Sequence, residues 1–158
     1  MIALRKMTQE EFDAWRPIVE AGYAADHVRA GNWRDTEAPH QARKAFDQLL
    51  PNGVNTENHH VCSIVDEATG ETVGHLWYFA APAAGSPSLF VASIGTNEAH
   101  RRRGYATAAL EALEGEAAAL GARSIRLHVF GDNTAARRLY AGLGYRETNV
   151  QMVKELAA

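Results

Sequence analysis

The sequence predicts an α/β fold of the α+β kind, a mixed central sheet with helices on both faces. Two observations predict it. The apolar spacing changes from a helical period to strand-like, β-branched and aromatic runs at His59, and the elements then read in the order β, α, α, β, β, β, α, β, α, β.

Each element has a local reason. Ile2-Ala3-Leu4-Arg5 is a short strand. Thr8 and Glu11, three apart, form a capping-box pattern that opens a helix over about 9–30, where Phe12, Trp15, Val19 and Tyr23 recur at +3, +4 and +4 on one face. Gly31-Asn32 breaks it, and Asp35 or Thr36 can cap a second helix over about 37–50, with Pro39 tolerated in its first turn. Pro51-Asn52-Gly53 ends that helix. Val61–Val65 and Val73–Phe79 form a hairpin around a turn that contains Gly70. Residues 81–87, with two prolines and a glycine, are a loop, and Ser88–Thr96 is a further strand. Ala106, Leu110, Leu113, Ala117 and Leu120 step at helical spacing, and Gly121 supplies a left-handed cap. Ser124–Phe130 alternates Ile125, Leu127 and Val129 with Arg126 and His128, a strand with one buried face. Asp132-Asn133-Thr134 caps a helix over Ala135–Leu143 that Gly144 ends, and Tyr145–Leu156 is expected to be a last strand or hairpin.

Composition narrows the class. A chain of 158 residues with 46% hydrophobic and 22% charged side chains is expected to be one domain over 1–158, burying roughly two-thirds of its unfolded-state surface. The formal net charge of −3 excludes a polybasic, histone-like protein. It is unevenly spread: the first hundred residues are acidic, whereas the remainder carries a basic excess, so an anionic ligand would find its counter-charge in the C-terminal third. The single Cys62 cannot form an intramolecular disulfide, and no Cys/His cluster has zinc spacing, so no metal is expected. No apolar stretch approaches the roughly 20 residues of a membrane span. The N-terminus lacks a secretory h-region, and a cytoplasmic setting without membrane partners is the expectation.

The chemistry concentrates after Thr96. Arg101-Arg102-Arg103-Gly104-Tyr105-Ala106 leads from a strand directly into a helix, whose first-turn amides and dipole favour an anion, while the arginines offer charge-assisted contacts to phosphate oxygens. A solvated basic turn is the plainer reading of the same residues. The segment is neither a Walker A loop nor G-x-G-x-x-G, so phosphate binding here need not mean ATP or NAD. About thirty residues on, Asn133, Ala136 and Tyr140 lie on a capped helix after a strand.

These two segments, R-x-x-G-x-A and strand-N-x-x-A-x-x-L-Y-x-x-L-G-Y, resemble the acetyl-CoA motifs of the GNAT N-acetyltransferase superfamily, and the element order matches that fold over essentially the whole chain. Leu49–Gly53, Leu127–Gly131 and Met152–Leu156 further resemble a branch of small bacterial acetyltransferases mostly without an assigned substrate. The resemblance implies the acyl-CoA N-acyltransferase fold, with a splayed slot between the fourth and fifth strands, and acetyl-CoA as cosubstrate. Main chain at Ile94, Gly95 and Thr96 would pair with pantetheine amides. Arg101, Arg102, Arg103, Gly104, Tyr105, Ala106 and Thr107 would surround the pyrophosphate. Asn133, with Ala136 beside it, would meet the pantetheine arm, and Tyr140 would stand by the sulfur as proton donor to the leaving thiolate. On spacing alone Tyr140 reads equally as a core aromatic.

The base is where this sequence departs from its relatives. They often have carboxylates where this chain has Ser93 and Gly95, and Ser88–Thr96 contains no acid. Glu98, His128 and His75 are the candidate proton acceptors, with a water chain as the other route. The resemblance places the acceptor wall around Tyr23, His27, Trp33, Trp77 and Tyr78. The expected reaction is direct attack of a primary amine, on a small molecule or peptide, in a ternary complex. The alternative is a GNAT-fold module that binds or senses acyl-CoA without turnover. Nucleic-acid binding through Arg101–Arg103, Arg137 and Arg138 is disfavoured by the net charge and by the lack of a DNA-reading motif. A homodimer is the oligomer the resemblance suggests.

Overall fold

The structure is a computed structural model and describes residues 1–157. Strand β1 (Ile2–Lys6) leads into helix α1 (Gln9–Arg29). The capping box is formed: Thr8 Oγ1 accepts the Glu11 amide at 3.1 Å, and the Glu11 carboxylate accepts the Thr8 amide at 2.9 Å. Glu11 also takes a two-pronged bond from Arg5 at 2.8 and 2.9 Å and a bond from the buried Ser63 hydroxyl at 3.1 Å, which fixes α1 to the sheet edge. The Arg5 guanidinium is the main reason the Glu11 carboxyl falls to about 2.

Helix α2 (Ala38–Leu49) follows, then strands β2 (His59–Asp66), β3 (Thr72–Ala80) and β4 (Ser88–Thr96), helix α3 (Tyr105–Ala119), strand β5 (Ser124–Leu127) and helix α4 (Thr134–Gly142). The sheet order is β1-β2-β3-β4-β5, antiparallel through β4, with β5 parallel to β4. One face is covered by α1 and α2, where Phe12, Trp15, Phe46 and Leu50 pack on Val61 and Trp77. The other is covered by α3, where Ala109, Leu113 and Ala117 pack on Ile64, Leu76, Tyr78 and Val91. The helices thus lie on both faces of a mixed sheet, as the element order predicts. No helix of the described residues is long and apolar enough to cross a membrane.

Three expectations are corrected. Neither Asp35 nor Thr36 caps α2: its N-cap is Glu37, in a helical conformation with no side-chain cap bond, and Pro39 stands in the first turn, where a missing N–H costs nothing. Strand β5 stops at Leu127, not Phe130, because its pairing with β4 ends there, at Val91↔Leu127. Tyr145–Leu156 forms neither a strand nor a hairpin: Val150, Met152, Val153 and Leu156 are 66%, 88%, 79% and 83% exposed, and among the described residues no strand edge pairs with them.

Candidate active site

The end of β4 creates the site. In the ladder with β3, Trp77 pairs with Ser93 but the next residue, Tyr78, pairs with Val91, so Ala92 is an extra residue, a β-bulge. Bulges bend a strand and increase its twist. The parallel ladder with β5 ends at Val91, immediately before the bulge. From Ala92 to Thr96 the β4 edge beyond that ladder has no strand partner among the described residues, and the two strands part into the expected slot. An open edge of this kind can pair with an extended amide-bearing ligand. Ile94, Gly95 and Thr96 lie on it.

The basic turn follows at the end of this edge. Arg102 adopts a left-handed φ of 63° and Gly104 one of 80°, and Gly104 is the N-cap of α3. Gly104 has no side chain to cap the helix, so the amides of Tyr105, Ala106 and Thr107 are left for a ligand or water; the Ala108 amide is the first to find a helical carbonyl, that of Gly104 at 3.0 Å. Arg102 pays for its conformation with backbone strain of about 1–2 kcal/mol, a cost that functional turns commonly carry. Arg101, Arg102 and Arg103 are exposed, and among the described residues none is paired with a carboxylate. The Tyr105 hydroxyl donates to Asp66 at 2.6 Å and anchors the helix start to β2, so its contribution to a ligand is its main-chain amide. Arg101 Nε donates to the Thr96 carbonyl at 3.4 Å; free amides, a dipole end and three guanidinium groups without a carboxylate partner fit a pyrophosphate.

Beyond β5, Asn133 is the N-cap of α4, accepting the Ala136 amide at 3.2 Å through Oδ1, which leaves its Nδ2 as a donor. Tyr140 lies two turns along α4, with its ring 5.7 Å from that of Tyr145. Burial raises its phenol above the ordinary value, which keeps it protonated.

The candidate bases separate. Glu98 is exposed in a short 3-10 turn past the end of β4. His128 is exposed beyond the end of β5, edge-on to Phe130 at 4.9 Å. His75 is on β3 opposite Gly95, with Nε2 bonded to Ser93 Oγ at 2.8 Å and its ring against Trp15. Burial pushes its imidazole down to about 4. At neutral pH it is uncharged and too weak a base to take a proton from an ordinary ammonium. Its ring also explains Gly95: a Cβ at that position would stand 2.7 Å from His75 Cε1. The imidazole fills the space that a side chain on β4 would need.

The acceptor-side residues also divide. Tyr23 and Trp33 come together at 5.6 Å, with His27 between them, stacked on Trp33 at 4.1 Å and edge-on to Tyr23 at 4.6 Å. Phe130 closes the cluster at 5.1 Å from His27, and Arg29 reaches across to Asp132 at 3.0 Å, so the end of α1 is tied to the turn after β5. Burial, aided by the nearby His128, lowers the His27 imidazole. Trp77 is a correction: it is 2% exposed, packed among Trp15 and Phe46, with its indole N–H bonded to His59 at 3.0 Å. It is core, not acceptor wall. Tyr78 points to the opposite face, into the cluster under α3. Phe130, Arg29 and Asp132 join the Tyr23, His27 and Trp33 that the resemblance groups, and no spacing in the sequence signals them, because Phe130 follows the alternation of a strand.

The chain is similar to known proteins in sequence and in fold. The Acetyltransferase (GNAT) family model matches residues 23–145. Two Bacillus subtilis proteins, the uncharacterized N-acetyltransferases YdgE and YycN, are 37% and 38% identical to this chain, over 97% of the chain and 97% of YdgE, and over 98% of the chain and 99% of YycN. The crystal structure of YycN superposes with a TM-score of 0.93 over 100% of both chains. A more distant structure, AAC(6′)-Iy in complex with a CoA-linked bisubstrate analog, shares the fold at 15% identity with a TM-score of 0.62, over 100% of this chain and 99% of that one. By the family match and by whole-chain identity to these relatives, this chain belongs to the GNAT family of acetyltransferases.

Proposed function

We propose that residues 1–158 act as a single acetyl-CoA-dependent N-acetyltransferase domain in the cytoplasm, moving an acetyl group to a primary amine by direct attack in a ternary complex. The observation that carries this reading is the bulge at Ala92, which opens the β4 edge directly before the α3 anion turn. One continuous path then offers main-chain hydrogen bonds at Ile94, Gly95 and Thr96 and a phosphate cradle at residues 101–107. The N-acetyltransferase names of YdgE and YycN support the same reaction class.

Acetyl-CoA supplies the activated acyl group as a thioester. The open β4 edge holds and orients it, and the Arg101–Thr107 turn neutralises its phosphates. Asn133 Nδ2 donates to the pantetheine arm. Tyr140, kept protonated by burial, donates its phenolic proton to the departing thiolate. The Tyr23–His27–Trp33 cluster walls the acceptor. The amine must arrive neutral. His75 positions the Ser93 hydroxyl, the proton that the attacking nitrogen releases as the amide forms passes through water towards the exposed Glu98 and His128, and solvent returns a proton to the Tyr140 phenolate.

A second reading rests on one observation, the absence of any carboxylate from Ser88 to Thr96: the chain binds or senses acyl-CoA without turnover. Thiol release from acetyl-CoA across a panel of amines separates the two. Cys62, buried with its thiol raised to about 11, adds little background to a thiol reagent. Amine-dependent release is expected; acetyl-CoA binding with no release from any amine would favour the sensor.

A further inference from the structure

We infer that the acceptor is a weakly basic amine carried directly on an aromatic ring, uncharged in water at neutral pH, and not an ammonium-bearing polyamine or amino sugar. The inference rests on the transfer reaction proposed above and names the substrate class of the same site. It starts from the face of β4 turned towards α1. Beyond the bulge that face carries Ser93 and Gly95, paired across the ladder with Trp77 and His75, and neither brings a charge. The His75 imidazole, bonded to Ser93 and flanked by Trp15, is itself uncharged at neutral pH. Ala92 and Tyr23 pack on the same buried cluster, so the wall runs from the bulge to the rings of Tyr23, His27, Trp33 and Phe130. All four rings are half-buried, which leaves part of each open to a ligand. His27 is neutral as well: its Nδ1 accepts from Asn32 Nδ2 at 2.9 Å, which puts the ring proton on Nε2, and burial lowers the imidazole.

The carboxylates around this wall are already committed. Glu11 is paired with Arg5 and Glu20 with Arg16, while Asp26 and Asp132 share Arg29. Two carboxylates on one guanidinium leave a net negative charge, but Arg29 and Asp132 are exposed, where water and salt screen it. Asp35 lines a separate groove with Arg29, Ala24 and Val28, and Glu98 stands in solvent past the end of β4. An ammonium entering between Ser93 and Trp33 would shed its hydration with no anion to replace it, and an unpaired buried charge is the costliest group to accommodate. Cation–π attraction does not offset that loss, because the stacked His27 ring covers one face of Trp33. A neutral aryl amine meets no such penalty. Its ring packs edge-to-face among rings already arranged that way, and its N–H can donate to Ser93 Oγ. The nitrogen forms the amide bond as the C–S bond breaks, its surplus proton leaves through water, and the thiolate takes the proton of Tyr140, so no anionic base is needed before attack.

The isomers 4-methylaniline and benzylamine test this, since they have nearly the same shape and at pH 7 the first is neutral and the second a cation. Calorimetry on the full chain loaded with CoA should find 4-methylaniline bound roughly tenfold or more tighter than benzylamine. Trp33→Leu, a change in a loop outside the core, should weaken 4-methylaniline several-fold and leave CoA affinity unchanged. Ser93→Asp supplies the missing anion and should turn the preference towards benzylamine. Equal or tighter binding of benzylamine by the wild type overturns the inference, and so does binding of neither amine or an unchanged affinity in Trp33→Leu. Thiol release from acetyl-CoA, read in parallel, separates this result from the reaction. Faster release with benzylamine or a polyamine keeps the transfer and overturns the aromatic class. Selective binding of 4-methylaniline with no release from either amine keeps the ligand class and refutes the transfer.

Discussion

The pairing of Gly95 with His75 is open to a direct energetic test. In Gly95→Ala the new Cβ would lie 2.7 Å from His75 Cε1 and 3.4–3.5 Å from the ring nitrogens. The imidazole has little room to retreat, since Trp15 flanks it at 5.7 Å and Nε2 is held by Ser93 at 2.8 Å. Overpacking of this kind costs about 1–3 kcal/mol. At roughly 2–4 °C per kcal/mol for a chain of this length, Tm should fall by several degrees. His75→Ala alone should cost about 3 kcal/mol through the lost ring and the stranded Ser93 hydroxyl. In the double variant the methyl group enters the space the ring has left, so the combined loss should be smaller than the sum by about 1–2 kcal/mol. Gly74→Ala is the control: its Cβ would stand 2.3 Å from the Gly95 carbonyl oxygen, a backbone atom, and removing His75 should not rescue it. Equilibrium urea unfolding of wild type, singles and doubles reads all of these. Additivity of Gly95→Ala and His75→Ala within about 0.5 kcal/mol would refute the steric link.

Three further outcomes follow from the same geometry. Tyr140→Phe should lower kcat roughly hundredfold while calorimetry finds acetyl-CoA affinity nearly unchanged; wild-type turnover would remove its donor role. With no carboxylate on β4 and a His75 imidazole near 4, the rate with a strongly basic amine should keep rising above pH 7, and a plateau reached by pH 7 would contradict the water route. Glu11, with its folded carboxyl near 2, stabilises the native state fully above its unfolded value near 4.5 and loses that contribution as pH falls from there towards 2. Glu11→Gln should flatten the stability profile over that window in urea melts at stepped pH, and an unchanged slope would assign the acid sensitivity elsewhere.

Much of the fold was legible because its signals are local. The Thr8–Glu11 box, the full extent of β4 and the glycine at the start of α3 each depend on residues adjacent in the chain. What escaped depends on partners. A bulge at an alanine leaves no mark in the sequence, so Ala92 was invisible, and with it the early end of β5. Trp77 was assigned to the wrong surroundings because β3 is covered on both faces, and alternation alone does not say which aromatic meets a cleft and which meets a core. The expectation of a strand or hairpin over Tyr145–Leu156 fails because alternation along the chain does not say whether a strand edge is there to pair with it. The Tyr23–His27–Trp33–Phe130 cluster joins residues about a hundred positions apart, beyond the reach of spacing arguments.

A crystal structure with CoA bound tests the central claim most directly. The expected result is pantetheine lying along Ile94–Thr96 in the slot opened at Ala92, pyrophosphate oxygens on the amides of residues 102–107, and the sulfur within hydrogen-bond reach of the Tyr140 hydroxyl. CoA bound away from the β4 edge, or a sulfur remote from Tyr140, would contradict it.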